Sequence, residues 1–228
     1  MQHSYNSATL NTLLCSDVTV GQFLEYRASG NRNAMVDTLR KRLTERFLKS
    51  VVSHSYGGSM YLVVSCLLIE TLEAFRQGLK NTYGHSGACF KSFLGRSARF
   101  KHLHGHEEEF YSAIRCGLMH QGETTYGWRI TQRQASGSNP NAPILYDVES
   151  KKIDARLFLR YVREEMEEYC RLLKVTPATS PEWQGFLTKM EAVCDSCEPR
   201  KWSARVRSVR GSSKKSAIKK KALTRKSP

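Results

Sequence analysis

The sequence predicts a mainly α-helical bundle with a small β-hairpin insertion and a disordered basic C-terminal tail. Three observations carry that expectation. Apolar residues recur at helical spacing over 34–52, 107–121 and 153–173, the period at which one helix face turns toward a core. Two short runs alternate apolar and polar residues on either side of a loop rich in Gly, Ser, Asn and Pro, the pattern of paired strands. From Arg200 to Pro228 there are 12 Lys and Arg and no acidic residue, a composition that cannot close a core.

The 228 residues suffice for one domain with a sizeable core. We expect a polar, partly helical extension over 1–30, a helical domain over 31–198 and the tail over 199–228. Most of the formal charge of +15 belongs to the tail, because the rest of the chain holds 24 basic against 21 acidic residues. Seven cysteines, an odd number set on apolar faces, fit reduced thiols better than a disulfide framework. The first residues lack a basic start followed by an apolar stretch. No charge-free apolar run approaches the roughly 18 residues that cross a bilayer. A cytoplasmic chain with no membrane association is the expectation.

In chain order, a short helix is expected near Val18–Tyr26. Met35, Leu39, Leu43, Phe47 and Val51 then recur at i+4 with cations on much of the remaining surface, which reads as an amphipathic helix with a solvated face. After a break at His54–Ser59 comes the most apolar segment, residues 59–79, read as a buried helix. Glu70 lies in its middle, and a buried carboxylate is costly unless paired or protonated. Either it sits at an exposed seam or a cation from another helix meets it, Arg115 being the candidate. Residues 81–106 read as a loop with a short helix around Ala88–Leu94.

That loop holds His102, His104 and His106. In an extended chain their alternation would set three imidazoles on one side, suitable for a transition metal. Cys194 and Cys197 form a lone C-x-x-C, and a zinc site joining them to the histidines is the further alternative. The default for the histidines is an exposed polar loop, and we expect no metal. Tyr126, Trp128 and Ile130 alternate in the first strand run and Ile144, Tyr146 and Val148 in the second, so the two are expected to pair and to lay an aromatic face on the bundle.

Phe158, Tyr161, Val162, Met166, Tyr169, Leu172 and Leu173 predict a helix over Ile153–Leu173, with Glu167 and Arg171 an attractive i,i+4 pair and Glu164 and Glu168 a repulsive one. Ser180 and Pro181 open a last helix running to about Val193. In the tail, Lys201, Arg205, Arg207, Arg210, Lys214, Lys215, Lys219, Lys220 and Lys221 suit phosphates, and Trp202 can stack on a base. RNA is the polyanion we expect, though a merely solubilising tail has the same composition.

The stretch Glu107–Gln121 organises the rest. Phe110, Ile114 and Leu118 recur every four residues with Tyr111 on the same side, and three glutamates occupy the first turn, where negative charge favours the helix dipole. Arg115 and His120 stand near its end. Five residues at ~100° each place them about 140° apart on a regular helix. Either the helix relaxes near Gly117 or the two side chains meet across an interface between copies.

Arg115, four intervening residues and His120, set in FYSAIRCGLMHQGETTYGWRI, resemble the signature of the HEPN superfamily (higher eukaryotes and prokaryotes nucleotide-binding). With the helices before and after, the resemblance spans roughly 35–175. It implies a helical bundle, a homodimer with both motifs on one cleft, and metal-independent endoribonuclease activity without a cofactor. His120 would be the acid/base and Arg115 the phosphate clamp, with Glu70, Tyr111 and Gln121 supporting them. The resemblance also implies a toxin or phage-defence effector held in check by an antitoxin or other regulatory protein. Family members often carry a polar residue after the Arg, where Cys116 stands here. Gln121-Gly122 follow His120, unlike the H-x-Y variant whose Tyr is modified by a nucleotidyltransferase partner. A non-catalytic RNA-binding or dimerising scaffold is the alternative.

Overall fold

The computed structural model describes residues 5–52, 57–131, 146–147 and 149–199, and it is mainly helical, as expected. Met1–Glu198 form one unit and Pro199–Pro228 another. The basic residues proposed for RNA in the tail, Lys201 to Lys221 with Trp202, lie outside the described residues.

The N-terminal segment belongs to the bundle and is no separate extension. A single turn, α1 (Ser7–Leu10), leads into a two-stranded antiparallel ribbon of β1 (Leu13–Cys15) and β2 (Val18–Thr19). Helix α2 (Val20–Ala28) follows, opened by a reciprocal capping box between Thr19 and Gln22. Leu14, Val20 and Phe23 are buried in the common core. These apolar residues are few and spread over short elements, so helical periodicity alone did not reveal them.

Helix α3 (Arg32–Leu43) runs through a π turn (Thr44–Leu48) into α4 (Lys49–Val52). The i+4 series Met35, Leu39, Leu43 is buried, but the next buried residue is Leu48, while Phe47 is only half-buried. A π turn adds one residue to the turn, which puts Leu48 in the core in place of Phe47, while Val51 is buried as expected.

Helix α5 (Gly58–Gln77) is the centre of the bundle and packs on α6 (Ser86–Arg96), α9 (Ala155–Val175) and α10 (Pro181–Asp195). It is long and apolar enough to cross a membrane, yet 67% of its most apolar window is buried inside the protein. Its C-terminal Gly78 takes a left-handed φ of 65°. There α5 crosses α10 so closely that a Cβ on Gly185 would stand 2.8 Å from the Arg76 carbonyl oxygen. Ser180 caps α10 by accepting from the Trp183 amide at 3.1 Å, with Pro181 as its first residue.

The small sheet differs in its pairing from the expected hairpin. Strand β3 (Arg129–Thr131) and strand β4 (Tyr146–Asp147) do not pair with each other. Both flank β5 (Lys152–Asp154), which runs parallel to β3 and antiparallel to β4. The antiparallel hairpin is therefore β4–β5. Asp154 caps α9 by accepting from the Leu157 amide, so a segment read as the start of a helix is a strand that feeds one. Trp128 is buried as expected, whereas Tyr126 is 71% exposed at a left-handed φ. Ile144 and Val148 lie outside the described residues.

On α9 the acidic residues find distant partners. Arg99, from a 3-10 turn at Ala98–Leu103, meets Glu164, Glu165 and Glu168, which relieves the expected repulsion. Glu167 pairs with Arg40 at 3.6 Å instead of Arg171. Arg32 donates to the Leu173 and Thr176 carbonyls at the end of α9 and stacks 4.1 Å over Trp183.

Glu73, on α5, is 1% exposed and receives Arg96 through both terminal nitrogens, at 3.0 and 2.7 Å, with Ser92 and Gln77 also donating. Burial pushes its pKa up, but the bonds from Arg96 and Ser92 prevail and hold it below the ordinary 4.5. We predict that Glu73→Ala costs about 2 kcal/mol by chemical denaturation, because Arg96, Ser92 and Gln77 lose their shared acceptor while the Arg96 side chain, 40% exposed, can turn to water. A carboxyl whose pKa is lower folded than unfolded stabilises the fold above the unfolded value, and that contribution is lost as pH falls through the folded value. The stability gap between the parent and Glu73→Gln should therefore begin to shrink below pH 4.5. A gap independent of pH would contradict the ionised pair.

Candidate functional site

The stretch built around Arg115 and His120 folds as three consecutive pieces. These are α7 (Glu107–Phe110), a second π turn (Tyr111–Cys116) and α8 (Gly117–Gln121). The π turn has an identifiable cause. The chain leaves α8 through Gly122, at a left-handed φ of 78°, and folds back. The Thr125 amide then donates to the Ala113 carbonyl at 2.9 Å, and the Gly117 amide turns to Ile114. A donor from outside has entered the helix ladder, and the ladder widens to admit it. Gly117 is required at this crossing. A Cβ there would lie 2.5 Å from the Glu123 carbonyl oxygen.

Glu70 and Arg115 do meet. The Arg115 Nε donates to Glu70 Oε1 at 2.8 Å, and their side chains are only 17% and 11% exposed. The Ser86 hydroxyl donates to Glu70 Oε2 at 2.9 Å and the Thr82 hydroxyl at 3.4 Å, so α6 and the turn before it complete the carboxylate's shell. Burial lowers the Arg115 pKa, while the Glu70 bond and charge outweigh burial and raise it, so the guanidinium stays charged. Its terminal Nη groups donate to no oxygen among the described residues. Tyr111 lies under the same cation, with the guanidinium carbon 5.6 Å from the ring centre. Burial and the neighbouring Cys116 raise the Tyr111 pKa, and its hydroxyl stays protonated near neutrality.

His120 is placed differently. It is exposed, and with Gln121 it lines an open groove of about 440 Å³ whose other walls are Ser112, Cys116, Gly117, Thr125 and Tyr126. Arg115 is absent from that lining. Within one chain the motif pair therefore does not converge on one space. The π turn stops at Cys116 and does not swing Arg115 onto the side of His120. Ser112 and Cys116 share the His120 side at i+4 intervals, and the helix periodicity could have shown this. Thr125 and Tyr126 arrive through the returning loop, which carries no such signal.

The metal candidates do not converge. His104 turns its Nε2 to the Leu94 and Ser97 carbonyls at 3.0 and 3.3 Å. The His106 Nδ1 lies 3.5 Å from Glu109, and His102 sits in the 3-10 turn. The chain there is coiled where an extended chain was needed to align the rings. Cys194 is buried in α10, and Cys197 follows its last turn with Sγ directed at the Val193 carbonyl. No three His, Cys, Asp or Glu side chains gather into a metal-binding group among the described residues.

No protein-family model, curated protein or solved structure matches the chain. We predict that Gly117→Ala costs about 2 kcal/mol, the scale of an overpacked contact, and speeds amide exchange at Thr125. Unchanged exchange at Thr125 would show that the returning loop does not press on Gly117.

Proposed function

We propose that the chain is a HEPN-like, metal-independent endoribonuclease that works as a homodimer. The observation that supports it most is the state of Arg115. Glu70 fixes this cation through Nε, and its terminal nitrogens donate to no oxygen among the described residues, five residues before an exposed His120 in a groove. A guanidinium so held can take two phosphate oxygens with little loss of freedom. An imidazole is the side chain suited to move a proton near neutral pH.

In this reading the RNA 2′-hydroxyl attacks the adjacent phosphorus and the bond to the 5′-oxygen breaks. One imidazole accepts the hydroxyl proton and another protonates the departing oxygen. The products are a 2′,3′-cyclic phosphate and a free 5′-hydroxyl, and DNA is spared. Arg115 stabilises the charge that builds on phosphorus-bound oxygens. One chain offers one His120, on a different side from Arg115, so two chains facing each other would supply both imidazoles and bring an Arg115 to a His120 across the interface. Tyr111 supports the guanidinium and Gln121 lies beside His120 as a hydrogen-bonding neighbour for substrate. The basic tail concentrates RNA by displacing its counterions. A cytoplasmic toxin or defence effector restrained by an antitoxin or other regulatory protein is the setting this chemistry suits.

A second reading, a non-catalytic RNA-binding or dimerising scaffold, draws on two observations. Cys116 stands where active relatives often carry a polar residue, and Arg115 does not line the His120 groove.

Labelled mixed RNA incubated in EDTA should be cleaved to cyclic-phosphate ends. His120→Ala should slow cleavage about a hundredfold or more, and Arg115→Ala should do the same with RNA binding retained. Undiminished cleavage by His120→Ala would sink the assignment, and binding without cleavage by a folded dimer would favour the scaffold. Deleting residues 199–228 should weaken RNA affinity and flatten its dependence on salt, because about 0.9 counterions are released per phosphate contacted on duplex and ~0.7 on single strands.

A further inference from the structure

A second cavity, of about 550 Å³, opens between α5, the 3-10 turn and α9, and it shares no lining residue with the His120 groove. Four arginines line it, Arg76, Arg96, Arg99 and Arg171, against Glu165 and Glu168. Two of the four are committed to the fold. Arg96 is held by Glu73 through both terminal nitrogens, and Arg99 by three glutamates of α9.

Arg76 and Arg171 are the remaining two. The nearest carboxylate in sequence to Arg76 is Glu73, which already accepts from Arg96, Ser92 and Gln77. The Arg76 guanidinium carbon lies over the Tyr169 ring, 4.6 Å from its centre. Its Nε is buried without a hydrogen-bond partner, and so is the Tyr169 hydroxyl. A buried donor without an acceptor is costly, and a guanidinium set over a ring keeps its N–H edges for an anion. Arg171 is exposed at the rim and makes no ion pair among the described residues. Beside it Leu172 and Val175 expose apolar surface, Val175 at 81%.

We propose that this cavity binds a small phosphate monoester. Arg76 and Arg171 take the phosphate, and Leu172 and Val175 cover the organic body. Arg76 and Arg171, the two lining arginines in no ion pair among the described residues, offer two positive charges to a dianion, and the cavity's volume falls within the several hundred Å³ usual for small-molecule sites. The site does not depend on the ribonuclease reading.

The test is calorimetric titration of the full chain, in chloride buffer, with phenyl phosphate and with inorganic phosphate. Phenyl phosphate should bind saturably at one site and more tightly than inorganic phosphate. Arg76→Met should weaken it about tenfold or more, the value of a charge-assisted bond, with the melting temperature checked in parallel. Arg171→Gln should weaken it less, and Val175→Glu, at an exposed position, should weaken it by repulsion. These last two decide the matter where Arg76→Met does not fold. His120→Ala should bind as the parent does, which separates this site from the groove, and every variant keeps the basic tail. Absence of saturable binding, or binding unchanged in the Arg171 and Val175 variants, overturns the site. Equal affinity for inorganic phosphate overturns the assignment of an organic body.

Discussion

Two carboxylates one turn apart on the most buried helix are the constraint on which the rest depends. Glu70 and Glu73 sit on α5, where neither can stay ionised without a cation and further donors. Glu73 takes Arg96, Ser92 and Gln77, and Glu70 takes Arg115, Ser86 and Thr82. Three of these donors come from α6, which is thereby pinned to α5 in both position and rotation. Arg115 pins the π turn to the same face. The apolar contacts among Phe90, Phe110 and Phe158 supply burial but tolerate sliding. The charged pairs do not, because a shift of a few ångströms would strand a charge inside the bundle. Specificity of arrangement at α5 therefore comes from its two acids.

The two π turns play a comparable part in register. The one before α4 moves the core position from Phe47 to Leu48. The one before α8 exists because Thr125 enters the ladder at Ala113, and it directs Arg115 to Glu70 while Ser112, Cys116 and His120 line the groove. Gly117 lets the returning loop lie against the helix, so the groove wall formed by Thr125 and Tyr126 depends on the absence of a Cβ at Gly117, which would stand 3.3 Å from Thr125.

Much of this was legible in the sequence, and the illegible part has physical reasons. The helical period of 107–121 and 153–173 was legible, although a π turn interrupts the first and residues 153–154 of the second are strand; the Ser180 cap with Pro181 was read correctly, whereas the pairing of Glu70 with Arg115 was one of two alternatives. The second acid, Glu73, was overlooked, although i and i+3 on one buried helix share a face. Strand β5 was missed because three residues are too few to show alternation and because they run straight into a helix. The hairpin partners were misassigned for the same reason, since the parallel pairing of β3 with β5 needs a crossover that no local pattern announces. The Arg99 cluster escaped because its glutamates are 65 to 69 residues away, and local spacing speaks only of neighbours along a helix.

A count of where the arginines are committed argues for where function lies. Arg32 closes the end of α9, Arg42 binds the Leu14 carbonyl, Arg96 answers Glu73 and Arg99 gathers three acids. Each satisfies groups that folding itself would otherwise leave unpaired, so none is available to a ligand without loss of stability. Arg115 is half committed, tied through Nε while its terminal nitrogens meet no oxygen among the described residues, which is the condition of a cation oriented by the fold for use on something else. Arg76 is half-buried over the Tyr169 ring, and its Nε, shielded from solvent, has no acceptor among the described residues. The Tyr169 ring and the charges of Glu73 and Glu165 favour the cation without giving its Nε an acceptor, and an anion in the cavity is the acceptor that the fold leaves out.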